Sequence, residues 1–171
     1  MITNVELAKE PLLRNMIADY LDCSTDGSGE YELMGPGFKK VDEKPNAQEY
    51  SAFYINQANS SSFVKGYETE FEYDCDMMKG DKAVAALYRV GRDHLTGAGA
   101  MFNYVRVDLW DEENKDSTKG YPARKFIVTC LPDSTEGEGG EYIATTGTLK
   151  AVGDFVEGYF NTSTKAFTAK S

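Results

Sequence analysis

From Val64 to Met77 the chain reads Val-Lys-Gly-Tyr-Glu-Thr-Glu-Phe-Glu-Tyr-Asp-Cys-Asp-Met. Tyr67, Thr69, Phe71, Tyr73, Cys75 and Met77 take the odd positions. Glu68, Glu70, Glu72, Asp74 and Asp76 take the even ones. Successive strand side chains point to opposite faces, so this alternation predicts one two-faced β-strand with every carboxylate on one side. A helix would scatter the same acids around its circumference. One face of such a strand seeks a core. The other is a line of negative charge that must be kept wet or be used.

The rest of the composition narrows the function classes. A chain of 171 residues suits one domain and is long enough to bury about 70% of its extended surface. Its 11 Tyr, 9 Phe and 16 Gly lean towards strands with frequent turns. A net charge of -10 excludes the basic footprint of a nucleic-acid-binding protein, and the surface should repel a polyanion. Cys23, Cys75 and Cys130 form no Cys-x-x-Cys pair and sit in strand-like apolar contexts, so they are expected to be free core thiols in a reducing compartment. The start lacks a basic stretch leading into an apolar run, and no window is long enough for a transmembrane helix. Synthesis and folding in a cytoplasm are the expectation.

In chain order, residues 1–11 read as an N-terminal arm closed by Pro11. In Leu12 to Asp22, residues Leu13, Met16, Ile17, Tyr20 and Leu21 fit a helical face, and local propensity favours helix. Glu30 to Met34 predicts a short strand closed by Gly35-Pro36-Gly37. Residues 38–62 have no strong periodicity beyond a short strand at Tyr50 to Ile55, and read as a long polar loop. Such a loop in a small domain is either disordered or a contact device. Asp81 is a plausible N-cap for a helix whose Ala83, Val84, Leu87 and Val90 recur at i, i+3, i+4 spacing and should pack on a sheet. Its stop is Gly91 or the Gly97-Ala98-Gly99 segment. Phe102 to Trp110 and Lys125 to Leu131 predict strands, the second a central one. Residues 132–146 form a Gly-rich acidic loop running into the next strand. Thr145 to Phe160 reads as one strand or two, bent near Gly147 or Gly153, with a closing hairpin at Lys165 to Ala169.

Catalytic signals are absent from the pattern. His94, the single histidine, has no nucleophile motif beside it and reads as a surface or capping residue. No phosphate-binding loop, zinc-protease motif, nucleophile elbow or Cys/His metal spacing occurs. Alternate residues on one strand lie roughly 7 Å apart, too far to chelate a cation unaided. No cofactor, metal or enzymatic activity is expected, and the acidic row read alone is a solvated sheet face.

Several stretches, taken in order, carry a resemblance. They are Leu33-Met-Gly-Pro-Gly-Phe38, Pro45-Asn-Ala-Gln48, Tyr54-Ile55-Asn56, Val64-Lys-Gly-Tyr-Glu-Thr69 and Val90-Gly-Arg-Asp93. Val105-Arg-Val-Asp-Leu-Trp110, Gly147-Thr-Leu-Lys-Ala-Val-Gly-Asp154 and Gly158-Tyr-Phe-Asn-Thr-Ser-Thr-Lys-Ala-Phe-Thr168 complete the series. From about residue 12 to 169 the sequence resembles the major tail tube proteins of phages of Gram-positive bacteria. No one motif is diagnostic; the order of the series is what carries the likeness.

The resemblance implies a mainly β (α+β) domain, a β-sandwich or partly closed barrel with one flanking α-helix. It implies hexameric rings that stack into a tube around a continuous inner β-barrel, in a virion tail assembled in the host cytoplasm. It makes Leu12 to Asp22 a strand, against the local preference. Its implied partners are further copies of the chain, the tape measure, tail terminator and distal tail or baseplate proteins, a sheath if the tail is contractile, and DNA passing unbound; a membrane is not among them. Glu68, Glu70, Glu72, Asp74 and Asp76 then become candidate lumen-lining residues. Lys39, Lys40, Asp42, Glu43, Lys44 and Asn46, in the 38–62 loop, become candidate contacts between rings, as do the N-terminal arm and the 132–146 loop. A contractile tail or phage-tail-like bacteriocin would use the same fold for its inner tube. A small carbohydrate-binding β-sandwich, with an aromatic patch around Trp110, is the alternative of another class.

Overall fold

The structure is a computed structural model that describes residues 9–171. A turn of 3-10 helix at Arg14–Met16 delivers the chain into β1 (Ile17–Asp22), and β2 (Tyr31–Leu33) returns beside it. β3 (Phe38–Lys44) follows, then β4 (Ala47–Ala52) and β5 (Ser61–Tyr67), which pair only with each other. β6 (Glu70–Asp76) is joined by α1 (Lys82–Arg92) to β7 (Met101–Asp108). β8 (Tyr121–Glu136), β9 (Ala144–Ala151), β10 (Val156–Asn161) and β11 (Ala166–Ala169) complete the chain. The main sheet runs β2-β1-β7-β8-β9-β6-β3, antiparallel throughout, with β10 and β11 attached beside the start of β8.

The 16 residues of β8 set this architecture. A strand of that length spans roughly 50 Å, more than one layer of a small domain. Its first half pairs with β7 on one edge and with β10 on the other, and its second half pairs with β9. The sheet therefore divides and curls. Gly153, at φ 72°, lets the chain leave β9 and re-form as β10.

Two apolar clusters result. The larger joins Leu21, Phe71, Tyr73, Tyr104, Phe126, Val128 and Leu149 to the α1 residues Ala83, Val84, Leu87 and Val90. Phe71 is its centre, with Tyr104 and Phe126 at ring-centroid distances of 4.5 and 4.9 Å. The smaller cluster lies on the opposite face of β1 and β7, where Phe160 meets Tyr20 and Tyr31. β1 and β7 are thus buried on both faces. Asp81 caps α1 by accepting from the Val84 N–H at 3.1 Å. Burying Leu87 and Val84 contributes about 1.5–3 kcal/mol each.

Several expectations need correction. The strand expected from Val64 to Met77 is two strands. The chain turns at Glu68 and Thr69, where the Glu68 N–H bonds to the Asn46 carbonyl and the Thr69 carbonyl accepts from Ala151. Ladder partners change there from β4 to β3 and β9, leaving Tyr67 exposed rather than in the core. The long loop expected over 38–62 is mostly strand. Only Val41 is buried along β3, so its periodicity was hidden among charges that pair across the ladder. The 132–146 loop shrinks to residues 137–143, because Ser134, Thr135 and Glu136 pair with Thr146, Thr145 and Ala144. Gly91 does not stop α1, which ends at Arg92; Gly91 faces Pro132, where a Cβ would approach to 3.2 Å. Leu12 to Asp22 is strand only from Ile17.

Candidate assembly surfaces

Cross-strand partners share a face, so register defines the open side of the β3-β6-β9-β8 region. β6 presents Glu70, Glu72, Asp74 and Asp76 there, while Phe71, Tyr73 and Cys75 point into the core. β3 places Lys40 opposite Asp74, Asp42 opposite Glu72 and Lys44 opposite Glu70. β9 places Ala144, Thr146, Thr148 and Lys150 opposite the same acids, and Glu136 of β8 extends the row. Glu68 falls outside it, in the link between β5 and β6.

This acidic row is laced with lysine. Glu72 pairs with Lys44 and with Lys40 at 3.5 Å, Asp76 with Lys39 at 3.1 Å, and Glu70 with Lys150 at 3.9 Å. Hydrogen bonding from Lys44 and the charges of Lys40 and Lys44 hold the Glu72 carboxyl below its usual range. Six carboxylates (Asp42, Glu70, Glu72, Asp74, Asp76, Glu136) stand against four lysines (Lys39, Lys40, Lys44, Lys150), a net of two negative charges. The acids of the row are only partly exposed, Glu72 at 37%, Glu70 at 25% and Asp76 at 23%, and one Asp74 carboxylate oxygen is buried without a hydrogen-bond partner among the described residues. Sequence reasoning saw the acids and missed the lysines, because pairing between β3 and β6 is a long-range fact.

Behind this face, β3 is fastened to the body. Glu43 turns inward and takes both terminal nitrogens of Arg124, at 2.7 and 2.8 Å, with the Arg106 Nε at 3.5 Å. Burial pushes the Glu43 carboxyl up, but Arg124 and then Arg106 outweigh it and hold it below the usual range. Arg106 also donates to Asp19 at 3.1 Å and to the Val41 carbonyl at 3.4 Å. Asp19 accepts in addition from the Tyr104 hydroxyl and from Arg14 at 2.6 Å. Glu43, expected at a ring contact, is held by Arg124 and Arg106 with its side chain 21% exposed; Lys39, Lys40, Asp42 and Lys44 lie in β3, and Asn46 sits in the turn after it at φ 49°.

The β4–β5 hairpin stands apart. Tyr50, Phe53, Tyr54, Ile55, Phe63, Val64 and Tyr67 are all exposed on it. A second apolar surface is a groove of about 660 Å³ between the starts of β1 and β3, lined by Ile17, Ala18, Leu33, Met34, Phe38 and Leu109 among others. His94 is exposed just past α1 at φ 52°, and Trp110 is partly exposed beyond β7. The described residues contain no cluster of metal-ligating side chains and no helix long and apolar enough to cross a membrane.

Comparison with solved structures places this architecture. The SPP1 tail tube, solved by solid-state NMR and cryo-EM, superposes with a TM-score of 0.63 at 11% identity, over 86% of this chain and 78% of that one. This is the tail-tube fold. The same fold occurs in the tail of an empty GTA particle refined with C6 symmetry, at TM-score 0.58 and 12% identity over 93% of this chain and all of that one. It occurs again in the sheath–tube complex of PVC, an extracellular contractile injection system, at TM-score 0.53 and 11% identity over 91% and 94% of the two chains. No protein-family model and no curated protein sequence matches the chain. The tail-tube fold thus accounts for a mainly β domain carrying one flanking helix.

Proposed function

We propose that this chain is the structural subunit of a tail tube, forming hexameric rings that stack into a hollow tube. The observation that carries the reading is the pairing of this fold with an open sheet face, net negative and partly exposed, on a body whose apolar clusters are buried. In a ring, that face lines the channel, with Glu70, Glu72, Asp74 and Asp76 directed at whatever passes. Six copies set about twelve net negative charges around each ring, facing a duplex with one charge per about 1.7 Å. Each repulsion is weak, about 0.4 kcal/mol at 10 Å in water, and screened over about 8 Å. Their sum keeps DNA centred without a binding site. Of the five acids read as lumen-lining, Glu70, Glu72, Asp74 and Asp76 share this face and Glu68 sits in the link between β5 and β6.

The hairpin beyond β3 and the shortened 137–143 turn, where Tyr142 is exposed, join Lys39, Lys40, Asp42, Lys44 and Asn46 as contact points between copies. The first reading is a non-contractile tail, and the inner tube of a contractile one is the alternative that the same fold would serve; a sheath gene beside this one would favour the second. Tail terminator, tape measure and baseplate proteins are the partners such a subunit meets.

Negative-stain microscopy of the concentrated protein is the test. Rings or long tubes of one diameter are expected. A particle that stays monomeric at every concentration, even when seeded with preformed tail pieces, would refute the reading.

A further inference from the structure

Among the described residues, two apolar surfaces without partners lie at different ends of β3. The first is the outer half of the β4–β5 hairpin. From Tyr50 to Val64 the chain carries no charged residue, although 27% of the protein is charged. Phe53, Tyr54 and Ile55, at its turn, are 74, 45 and 109% exposed. An isolated two-stranded hairpin is marginal in water. Loss of charge together with aromatic enrichment is the composition of an interface centre, not of a solvated turn.

The second surface is the groove between β1 and β3. Its walls are aliphatic and aromatic, and Arg14, Lys39 and Lys40 stand half-exposed among its lining residues. All three are already paired, with Asp19, Asp76 and Glu72, so the groove offers no free charge and suits an uncharged apolar guest such as the hairpin tip. Groove residues of β3 end at Val41, whereas the hairpin leaves the body beyond Lys44. The six residues of β4 carry the turn a further 20 Å or so. Exposure of Phe53 and Ile55 shows that the tip does not occupy its own groove.

We propose that the hairpin tip of one copy seats in the β1–β3 groove of another copy. Donor and acceptor are different surfaces, so the contact is head-to-tail and leaves one of each free at the ends of every assembly, which is the condition for an open stack. The inference rests on the tail-tube reading and names the surfaces that join successive copies within it. A β1–β3 groove filled in this way also covers the outer edge of β3, where the Val41 carbonyl accepts from the Arg14 and Arg106 side chains.

Full-length proteins test it. A tip variant, Phe53→Ser with Ile55→Ser, and a groove variant, Leu33→Arg at a partly exposed position, are expected to keep the wild-type circular dichroism spectrum and lose at least tenfold in sedimentable tubes. Ile55→Cys combined with Leu33→Cys should give a ladder of covalent multimers when assembled tubes are oxidised, and neither single variant should. If the tip variant fails to assemble while Leu33→Arg assembles normally without a ladder, the tip docks elsewhere, the exposed Ile127–Phe155 side being the next surface, and the groove is overturned. Normal assembly of the tip variant overturns it too. Should the wild type form no tubes, the tail-tube reading itself fails, and a synthetic peptide of residues 50–64 titrated onto the monomer judges the groove alone. NMR shifts confined to Ala18, Met34 and Phe38 would uphold it, and their absence would overturn it.

Discussion

Replacing Asp19 by alanine should be among the most costly single changes in this protein. Its carboxylate is 1% exposed and accepts from the Tyr104 hydroxyl, from Arg106 at 3.1 Å and from Arg14 at 2.6 Å. Alanine leaves the fully buried Tyr104 without an acceptor. It also leaves Arg106, 8% exposed, with Glu43 at 3.5 Å as its remaining carboxylate. Breaking a buried ion pair from one side costs about 3–5 kcal/mol. For a domain of this size each kcal/mol lowers the melting temperature by about 2–4 °C, so a fall of roughly 6–20 °C is expected. Arg14→Ala removes a partner that is half in solvent, and its cost should stay under about 1 kcal/mol. Asp19→Asn keeps acceptors for Tyr104 and should fall between the two. Circular dichroism melts at low protein concentration, where assembly does not contribute, measure all three. If Asp19→Ala melts within 2 °C of the wild type, or if Arg14→Ala is equally damaging (~3 kcal/mol or more), then buried pairing does not hold β3 to the body and the reasoning is wrong.

Other outcomes follow from separate parts of the structure. Leu87→Ala, wholly buried under α1, should cost about 2–5 kcal/mol in urea unfolding. Gly120→Ala should be more disruptive than its size suggests, because φ is 103° and a Cβ would lie 2.1 Å from the Phe160 carbonyl; loss of soluble protein or a sharply lowered melting temperature would report it. The lowered Glu43 pKa stabilises the fold at neutral pH, and that contribution disappears as pH falls from the unfolded value near 4.3 through the lowered folded one. Glu43→Gln should therefore flatten the acid limb of a stability–pH curve. Asp108 works in the opposite sense, since burial raises its carboxyl. Converting Glu70, Glu72, Asp74 and Asp76 to their amides turns the face from two net negative charges to two positive. Tubes of that variant should retain duplex DNA at low salt in a co-sedimentation assay and release it as salt rises, where wild-type tubes retain none.

Local pattern was enough for some of this protein. Period-two alternation put Phe71, Tyr73 and Cys75 on one side and the acids on the other, and helical spacing with Asp81 as cap located α1 and its buried residues. Glycine at 153 marked a real break. These features depend on side-chain direction over a few residues, which the sequence carries directly. What the sequence could not supply is pairing between distant segments. β3 looked like a loop because its charges find partners on β6, about 30 residues away, and only the ladder reveals that four lysines stand against the six carboxylates of the row. Arg106 alternates with the apolar Val105 and Val107 along β7, yet it is buried because β1 and β3 bring Asp19 and Glu43 to it. Desolvating a charge is favourable only where opposite charges already stand in place, and that placement belongs to the tertiary fold.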